Sequence, residues 1–180
     1  MQDTAYLKCI IPKCGKEYVI SSTRIHCDCG NLLDVKYKNT PSTKLKETFY
    51  QRHNPQGSIF NESGVWRFRE LLNFCQIDTE NLEQCSKNLV SLDGAEGRQS
   101  KPYHMSKVAE FIGINSEKLM LQPEGYNPSG SFKDNGMSAA VTHAKMVNAK
   151  KIICASTGNT SASAGMFAAN ENIECDVYIP

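Results

Sequence analysis

The last third of the chain alternates strand-like apolar runs with glycine- and serine-containing turns and helical stretches, and that alternation limits the fold more than any other feature. Lys151-Ile152-Ile153-Cys154-Ala155 is a short run of buried-strand type. The turn Ser156-Thr157-Gly158-Asn159-Thr160 follows it, then an alanine-rich stretch from Ser161 to Asn170, then a second strand-like run, Asp176-Val177-Tyr178-Ile179. One unit upstream, Leu119-Met120-Leu121-Gln122 precedes the turn Gly125-Tyr126-Asn127-Pro128-Ser129-Gly130-Ser131. Phe132 to Val147 then carries Met137, Ala140, Val141, Ala144 and Val147 at helical spacing. Strand, turn and helix repeated with short connections predict an α/β domain with parallel strands. Ser106 to Ile112 adds a helix with Val108, Phe111 and Ile112 on one face, stopping at Gly113. A three-stranded parallel sheet leaves a bare edge and uncovered faces, so the stretch is expected to be the front half of a longer protein.

Upstream the character changes twice. Residues 1–38 hold four of the eight cysteines between short β-like runs, Tyr18-Val19-Ile20 and Leu32-Leu33-Asp34-Val35. Residues 39–88 are polar, show no βαβ pattern, and carry one helical stretch, Val65 to Leu72; they read as a connector or arm. Residues 89–180 hold the α/β pattern. Twenty basic against nineteen acidic side chains give a formal net charge of +1, which removes the electrostatic case for nucleic acid or a membrane surface. No apolar run approaches the ~20 residues that cross a bilayer, and MQDTAYLKC has no signal-peptide core. A cytoplasmic location with reduced thiols is the expectation.

Cys9 and Cys14 are separated by four residues and Cys27 and Cys29 by one, and Gly15 and Gly30 follow the second member of each pair. Cys-Gly endings let backbone amides turn toward sulfur. The cluster therefore reads as a structural zinc ribbon with four thiolates, or with three and His26 in place of Cys27. The alternative is a metal-free β-hairpin module that keeps reduced cysteines. Cys75, Cys85, Cys154 and Cys175 have no partners at metal-ligand spacing and read as small hydrophobes or bystanders.

In open α/β sheets the ligand site lies beyond the carboxyl ends of strands, where helices begin. Both glycine-containing turns fall there. The first puts backbone N–H groups and the hydroxyls of Ser129 and Ser131 at a helix N-terminus, which suits an anion. It is not a P-loop, because Phe132 precedes Lys133 and Asp134 follows it. A lysine in the first helical turn has a reason to lose its proton and act as a nucleophilic amine; the plainer alternative is an exposed lysine on a capped helix. The second turn offers three hydroxyls, a carboxamide and a glycine, a set that suits a small carboxylate and one polar ring substituent. Its plainer alternative is a Ser/Thr N-cap run.

At these residues a resemblance is plain. Glu124-Gly125-Tyr126-Asn127-Pro128-Ser129-Gly130-Ser131-Phe132-Lys133-Asp134-Asn135-Gly136-Met137 and Cys154-Ala155-Ser156-Thr157-Gly158-Asn159-Thr160-Ser161-Ala162 resemble the threonine synthases, pyridoxal-phosphate enzymes of fold type II with a tryptophan synthase β-like architecture. The Ser-Phe-Lys-Asp element is shared with serine and threonine dehydratases, whereas the second turn is closer to threonine synthases. The likeness runs from about Val90 to Pro180, and more weakly upstream. One loop departs from it: Gly94-Ala95-Glu96-Gly97-Arg98-Gln99-Ser100-Lys101-Pro102-Tyr103 stands where the family has Gly-Glu-Gly-x-Thr-Pro-Leu.

The resemblance implies a carbon–oxygen lyase of threonine biosynthesis that converts O-phospho-L-homoserine and water to L-threonine and phosphate. It implies Lys133 as the lysine joined to pyridoxal phosphate in an aldimine and as the proton shuttle. Asn159 corresponds to the asparagine bonded to the cofactor's ring hydroxyl, and Ser156, Thr157 and Thr160 to the loop around the substrate carboxylate. A homodimer is implied for the full-length protein. So is inactivity of this stretch alone, since the family's glycine-rich loop for the cofactor phosphate lies outside it. Rival readings are another fold type II lyase, such as a threonine dehydratase or cysteate synthase, and a truncated, non-catalytic chain.

Overall fold

A computed structural model describes residues 5–38, 43–52, 58–72, 89–97 and 103–179. Cys75 and Cys85, considered above, lie outside the described residues.

The amino-terminal unit is a three-stranded antiparallel sheet in the order β2-β1-β3, made of β1 (Ala5–Cys9), β2 (Glu17–Val19) and β3 (Leu33–Tyr37). Ala5 pairs with Tyr37 and Cys9 with Leu33, while Tyr6 pairs with Val19. Both β-like runs in the sequence become strands, and β1, which they do not announce, is the centre of the sheet. Its central place shows in burial: Ala5 and Cys9 at its ends are buried and the three residues between them half-buried, whereas β2 and β3 are almost wholly solvent-facing. Among the described residues of this unit only Ala5, Cys9 and Cys27 are buried and apolar, too few for a conventional core.

Helices α1 (Thr43–Gln51) and α2 (Ile59–Glu62) lead to a 3₁₀ segment, Trp66–Leu71. The sequence predicts a regular helix over Val65 to Leu72; instead Phe68 departs to φ −105°, ψ 25°. Guanidinium groups compete for backbone acceptors here. Arg67 donates to the Asn61 carbonyl at 3.0 Å, and Arg69 donates to the Trp66 carbonyl at 2.9 Å and the Asn61 carboxamide at 3.0 Å. Trp66 is fully buried, and its indole N–H donates to the Val90 carbonyl at 2.8 Å. It packs with Leu89, Phe60, Val65, Leu72 and Ala139. Trp66, Arg67 and Arg69 are thus packing residues.

Next come β4 (Tyr103–His104), α3 (Ser106–Ile112) and β5 (Met120–Leu121). Helix α3 ends at Gly113 in the left-handed region, φ 74°, where only glycine avoids strain. The predicted strand at Leu119 to Gln122 shrinks to two residues and pairs antiparallel with β4, outside the parallel sheet. It runs into Pro123, which has no N–H to extend a ladder.

The carboxyl part follows the predicted alternation: α4 (Lys133–Met146), β6 (Lys151–Ala155), α5 (Asn159–Asn170) and β7 (Glu174–Tyr178). Strands β6 and β7 are parallel, with Lys151 opposite Glu174 and Ala155 opposite Tyr178. Among the described residues this sheet has two strands, one fewer than the sequence predicts. Val90, Val141 and Phe167 are fully buried at its heart, with Leu92, Met137, Ile152 and Ile173 against them. Each such side chain contributes roughly 1.5–3 kcal/mol by leaving water. Helices α4 and α5 lie side by side, joined at their far ends by a 2.7 Å Lys145–Glu171 ion pair. Among the described residues no helix is long and apolar enough to cross a membrane.

Candidate active site

Lys133 is the first residue of α4, as its place after a glycine-serine turn predicts. The turn before it is held rigid by one carboxamide. Asn127 is buried; it accepts the Gly97 N–H at 2.8 Å and donates to the Ser131 carbonyl at 3.0 Å and to Glu124 at 2.9 Å. Gly130 sits at φ 80°, a left-handed position.

The turn's expected affinity for an outside anion needs correction, because the chain supplies its own. Asp134 is fully buried and accepts the Ser129 N–H at 2.7 Å and the Ser129 hydroxyl at 2.5 Å. It also accepts the hydroxyl of Ser163, from α5, at 2.6 Å. A carboxylate in the first turn of α4 also meets the positive end of the helix dipole. The Ser131 hydroxyl oxygen accepts the Lys133 N–H at 3.2 Å, so both serines are engaged internally.

The Lys133 amine is left free of acids. It lies 4.8 Å from the ring centroid of Phe132, and no carboxylate among the described residues pairs with it. Lys133 is half-buried.

The second turn opens α5. The plainer expectation of a Ser/Thr cap does not hold: the N-cap is Gly158, with no side-chain cap bond. The Ser156 oxygen accepts the Gly158 N–H at 3.3 Å, and the Ser161 hydroxyl turns back to the Ser156 carbonyl at 2.5 Å. Thr157 and Asn159 are exposed and Thr160 is half-buried. None of these three side chains has a hydrogen-bond partner among the described residues. A side chain added at Gly158 would meet nothing within 4 Å. The donor set, an unpaired primary amine beside free hydroxyls and a carboxamide, fits an aldehyde cofactor with polar ring substituents.

Asp134 is what ties the two turns together, and Ser163 stands one helical turn after Asn159 on the same face of α5. Sequence reasoning quotes Asp134 inside a motif without giving it a task. An acidic residue in the first turn of a helix is the signal that marks it. Asn127 has a comparable signal, an Asn-Pro turn start. Nothing in the local pattern marks Ser163.

The departing loop is structural among its described residues. Glu96 is fully buried, accepting the Ser91 hydroxyl at 2.6 Å and the Leu92 N–H at 3.1 Å. Gly97, at φ 61°, lies so close to Gly64 that a Cβ on Gly64 would sit 1.8 Å from the Gly97 carbonyl oxygen.

In the amino-terminal unit the sulfurs of Cys9, Cys14, Cys27 and Cys29 all lie within 4.8 Å of one another. His26 is not in this group and bridges to Leu32 in the backbone. Cys29 is held down to about 6 by the Asn31 carboxamide and then by the Asn31 backbone N–H. Cys9 is pushed up to about 12: the Ile11 N–H opposes this, but burial and the three neighbouring thiols outweigh it. Four thiols at this spacing suit a soft or borderline cation. Cys154 and Cys175 are half-buried strand residues outside the cluster.

Comparison with known proteins bears on the same residues. Residues 99–180, which include both turns, match the family described as pyridoxal-phosphate dependent enzymes. The chain is 34% identical over 174 residues to the threonine synthase of Methanocaldococcus jannaschii, covering 96% of this chain and 37% of that protein. The threonine synthase of Methanosarcina acetivorans is 33% identical over 176 residues, covering 97% of this chain and 37% of that protein. A Bacillus threonine synthase reaches 58% identity over 73 residues, 41% of this chain and 20% of that protein. The chain thus spans little more than a third of the length of the first two relatives. Residues 99–180, with both turns, are similar to the pyridoxal-phosphate dependent enzymes, and nearly the whole chain is similar to about a third of the length of the threonine synthases.

Proposed function

We propose that this chain supplies the lysine-bearing part of a threonine synthase, which converts O-phospho-L-homoserine and water to L-threonine and phosphate. One observation carries the reading. Two neighbouring helix starts are clamped by Asp134; among the described residues, one presents an amine with no acidic partner and the other presents the Thr157 and Thr160 hydroxyls and the Asn159 carboxamide with no hydrogen-bond partner.

Pyridoxal phosphate, when bound, supplies an electron sink for carbanion character at the substrate's carbons. Lys133 would hold it covalently through Nζ. The same amine would take protons from the substrate and return them, a dual task that one amine at the reacting carbons can fill. The Asn159 carboxamide would help to hold the cofactor through a polar substituent of its ring. The hydroxyls of Ser156, Thr157 and Thr160 donate to the substrate carboxylate and fix its orientation. The Asn127 and Asp134 networks hold the two turns in place through hydrogen bonds within the chain.

The proposal takes residues 1–38 as a zinc-ribbon-like module, 39–88 as a connector and 89–180 as the lysine-bearing α/β part. It takes the full-length protein as a cytoplasmic homodimer. Both the location and the dimer rest on the resemblance to the threonine synthases.

The test uses the full-length protein loaded with pyridoxal phosphate. Borohydride should abolish the yellow absorption band and leave the label on Lys133, as read by peptide mass. Label on Lys145 or Lys150 would refute the site. Phosphate release from O-phospho-L-homoserine with threonine as co-product is expected, and a keto acid with ammonia would point to a dehydratase instead. Lys133→Ala should lower turnover by orders of magnitude, Asn159→Ala by less.

A further inference from the structure

We infer that the four cysteines form a closed, four-thiolate zinc site in which Tyr18 is the positioning residue, donating its phenolic proton to the sulfur of Cys27. The inference rests on the zinc reading above and adds to it the ligand set, the type of site and the group that tunes it.

The sulfur positions match the metal. Cys9 and Cys29 lie 3.6 Å apart, as do Cys14 and Cys27. A tetrahedron with zinc–sulfur bonds of ~2.3 Å has edges of about 3.8 Å. A disulfide would need the sulfurs at about 2.05 Å. The ligands come from two knuckles. In the first, the N–H groups of Cys14 and Gly15 fold back on the Ile11 carbonyl, with Gly15 at φ 62°. In the second, the Gly30 N–H folds back on the Cys27 carbonyl, with Gly30 at φ 82°. With four protein thiolates no coordination position stays open, so the site is structural and not catalytic.

The module also needs such a bond. Among its described residues three are buried and apolar, and two of these are cysteines of the cluster. A sheet this small without an apolar core takes its folding free energy from a staple or a metal.

Around the sulfurs stands a ring of donors. The Ile11 N–H points to Cys9 and the Asn31 carboxamide to Cys29, each at 3.5 Å. The Tyr18 hydroxyl lies 3.3 Å from the Cys27 sulfur and accepts the Asp28 N–H at 3.0 Å. A phenol has one proton; with its oxygen receiving Asp28, that proton is left for the sulfur. Tyr18 is held from outside as well. The Arg24 guanidinium stacks on its ring at 4.8 Å, and Arg24 and Lys16 both pair with Asp28. Four thiolates on a divalent ion leave a doubly negative centre. Three donors to sulfur and two nearby cations offset that charge, as outer-shell groups do at metal sites generally.

The experiment measures metal on the full chain prepared with zinc under reducing conditions. About one zinc per chain is expected, lost when Cys14 and Cys29 are both changed to Ser; no zinc in the wild type overturns the zinc reading itself. Tyr18→Phe should keep the zinc but release it to a chelator roughly 10–100-fold more readily. In cobalt-substituted protein it should also shift the thiolate-to-metal charge-transfer band, while Tyr50→Phe, at an exposed tyrosine, should not. Zinc bound normally with chelator release and cobalt band unchanged in Tyr18→Phe overturns the role of Tyr18 and leaves the metal site standing. If Tyr18→Phe does not fold, Asn31→Ala carries the test at Cys29. Faster chelator release is again expected, and unchanged release overturns the outer-shell assignment.

Discussion

Removing the Asp134 carboxylate should separate the two helix starts and weaken the fold by a calculable amount. In Asp134→Ala three donors lose their acceptor: the Ser129 N–H, the Ser129 hydroxyl and the Ser163 hydroxyl. Hydrogen bonds to a charged acceptor contribute about 1.5–3 kcal/mol each. Ser129 is half-buried, so its donors can turn to water and recover part of the loss. Ser163 is fully buried and cannot. Adding a lost dipole contribution of roughly 0.3–1 kcal/mol, we expect a destabilisation of about 3–5 kcal/mol. At a urea slope of about 2 kcal/mol per molar, the unfolding midpoint falls by roughly 2 M. Emission of Trp66, the chain's single tryptophan and fully buried, reports the transition. Asp134→Asn keeps a carbonyl acceptor but turns an amino group toward donors, and should fall between. In a double-mutant cycle with Ser163→Ala the coupling should be about 1–2 kcal/mol. An unchanged midpoint in Asp134→Ala, or zero coupling to Ser163, would refute the clamp.

Gly64→Ala places a Cβ 1.8 Å from the Gly97 carbonyl, so backbone must move; a loss of about 3 kcal/mol or more is expected in urea unfolding. Gly136→Ala, inside α4 with open space around a new Cβ, should raise the unfolding free energy in urea by close to 1 kcal/mol through helix propensity. Trp66→Phe leaves the Val90 carbonyl without the indole donor, at a cost of about 1–3 kcal/mol in thermal unfolding. Glu171→Gln removes a partly exposed ion pair with Lys145 and should cost less than ~1 kcal/mol, with the small loss vanishing at high salt.

What the sequence made legible is what depends on neighbours along the chain. Helices α4 and α5 and strands β6 and β7 show in apolar spacing and short connections, and Gly113 marks the end of α3 because a left-handed residue is needed there. The thiol cluster shows because Cys-Gly pairs carry a backbone reason. The features that escaped are set by distant partners. Met120 and Leu121 pair with Tyr103 and His104, a choice no local pattern records. The 3₁₀ geometry at Trp66–Leu71 comes from guanidinium groups reaching the Asn61 and Trp66 carbonyls. Asp134 binds Ser163 across 29 residues and Asn127 binds Gly97 across 30, so neither role is readable from spacing.

The polar groups of the two turns divide into those consumed by the fold and those left over, and the division predicts how variants should sort. Asn127, Ser129, Ser131, Asp134, Ser161 and Ser163 spend their donors and acceptors internally. The Lys133 amine and the side chains of Thr157, Asn159 and Thr160 spend none on polar partners among the described residues. A rigid frame with unspent groups is what a binding site requires, since groups already satisfied by the protein gain nothing from a ligand. Truncating a consumed group should therefore lower stability, and lower activity only as a consequence. Thr157→Ala should leave the urea midpoint where it is while raising KM for the carboxylate-bearing substrate in the full-length protein. If Thr157→Ala instead unfolds early with KM unchanged, the hydroxyl has a structural partner and the second turn is not a carboxylate site.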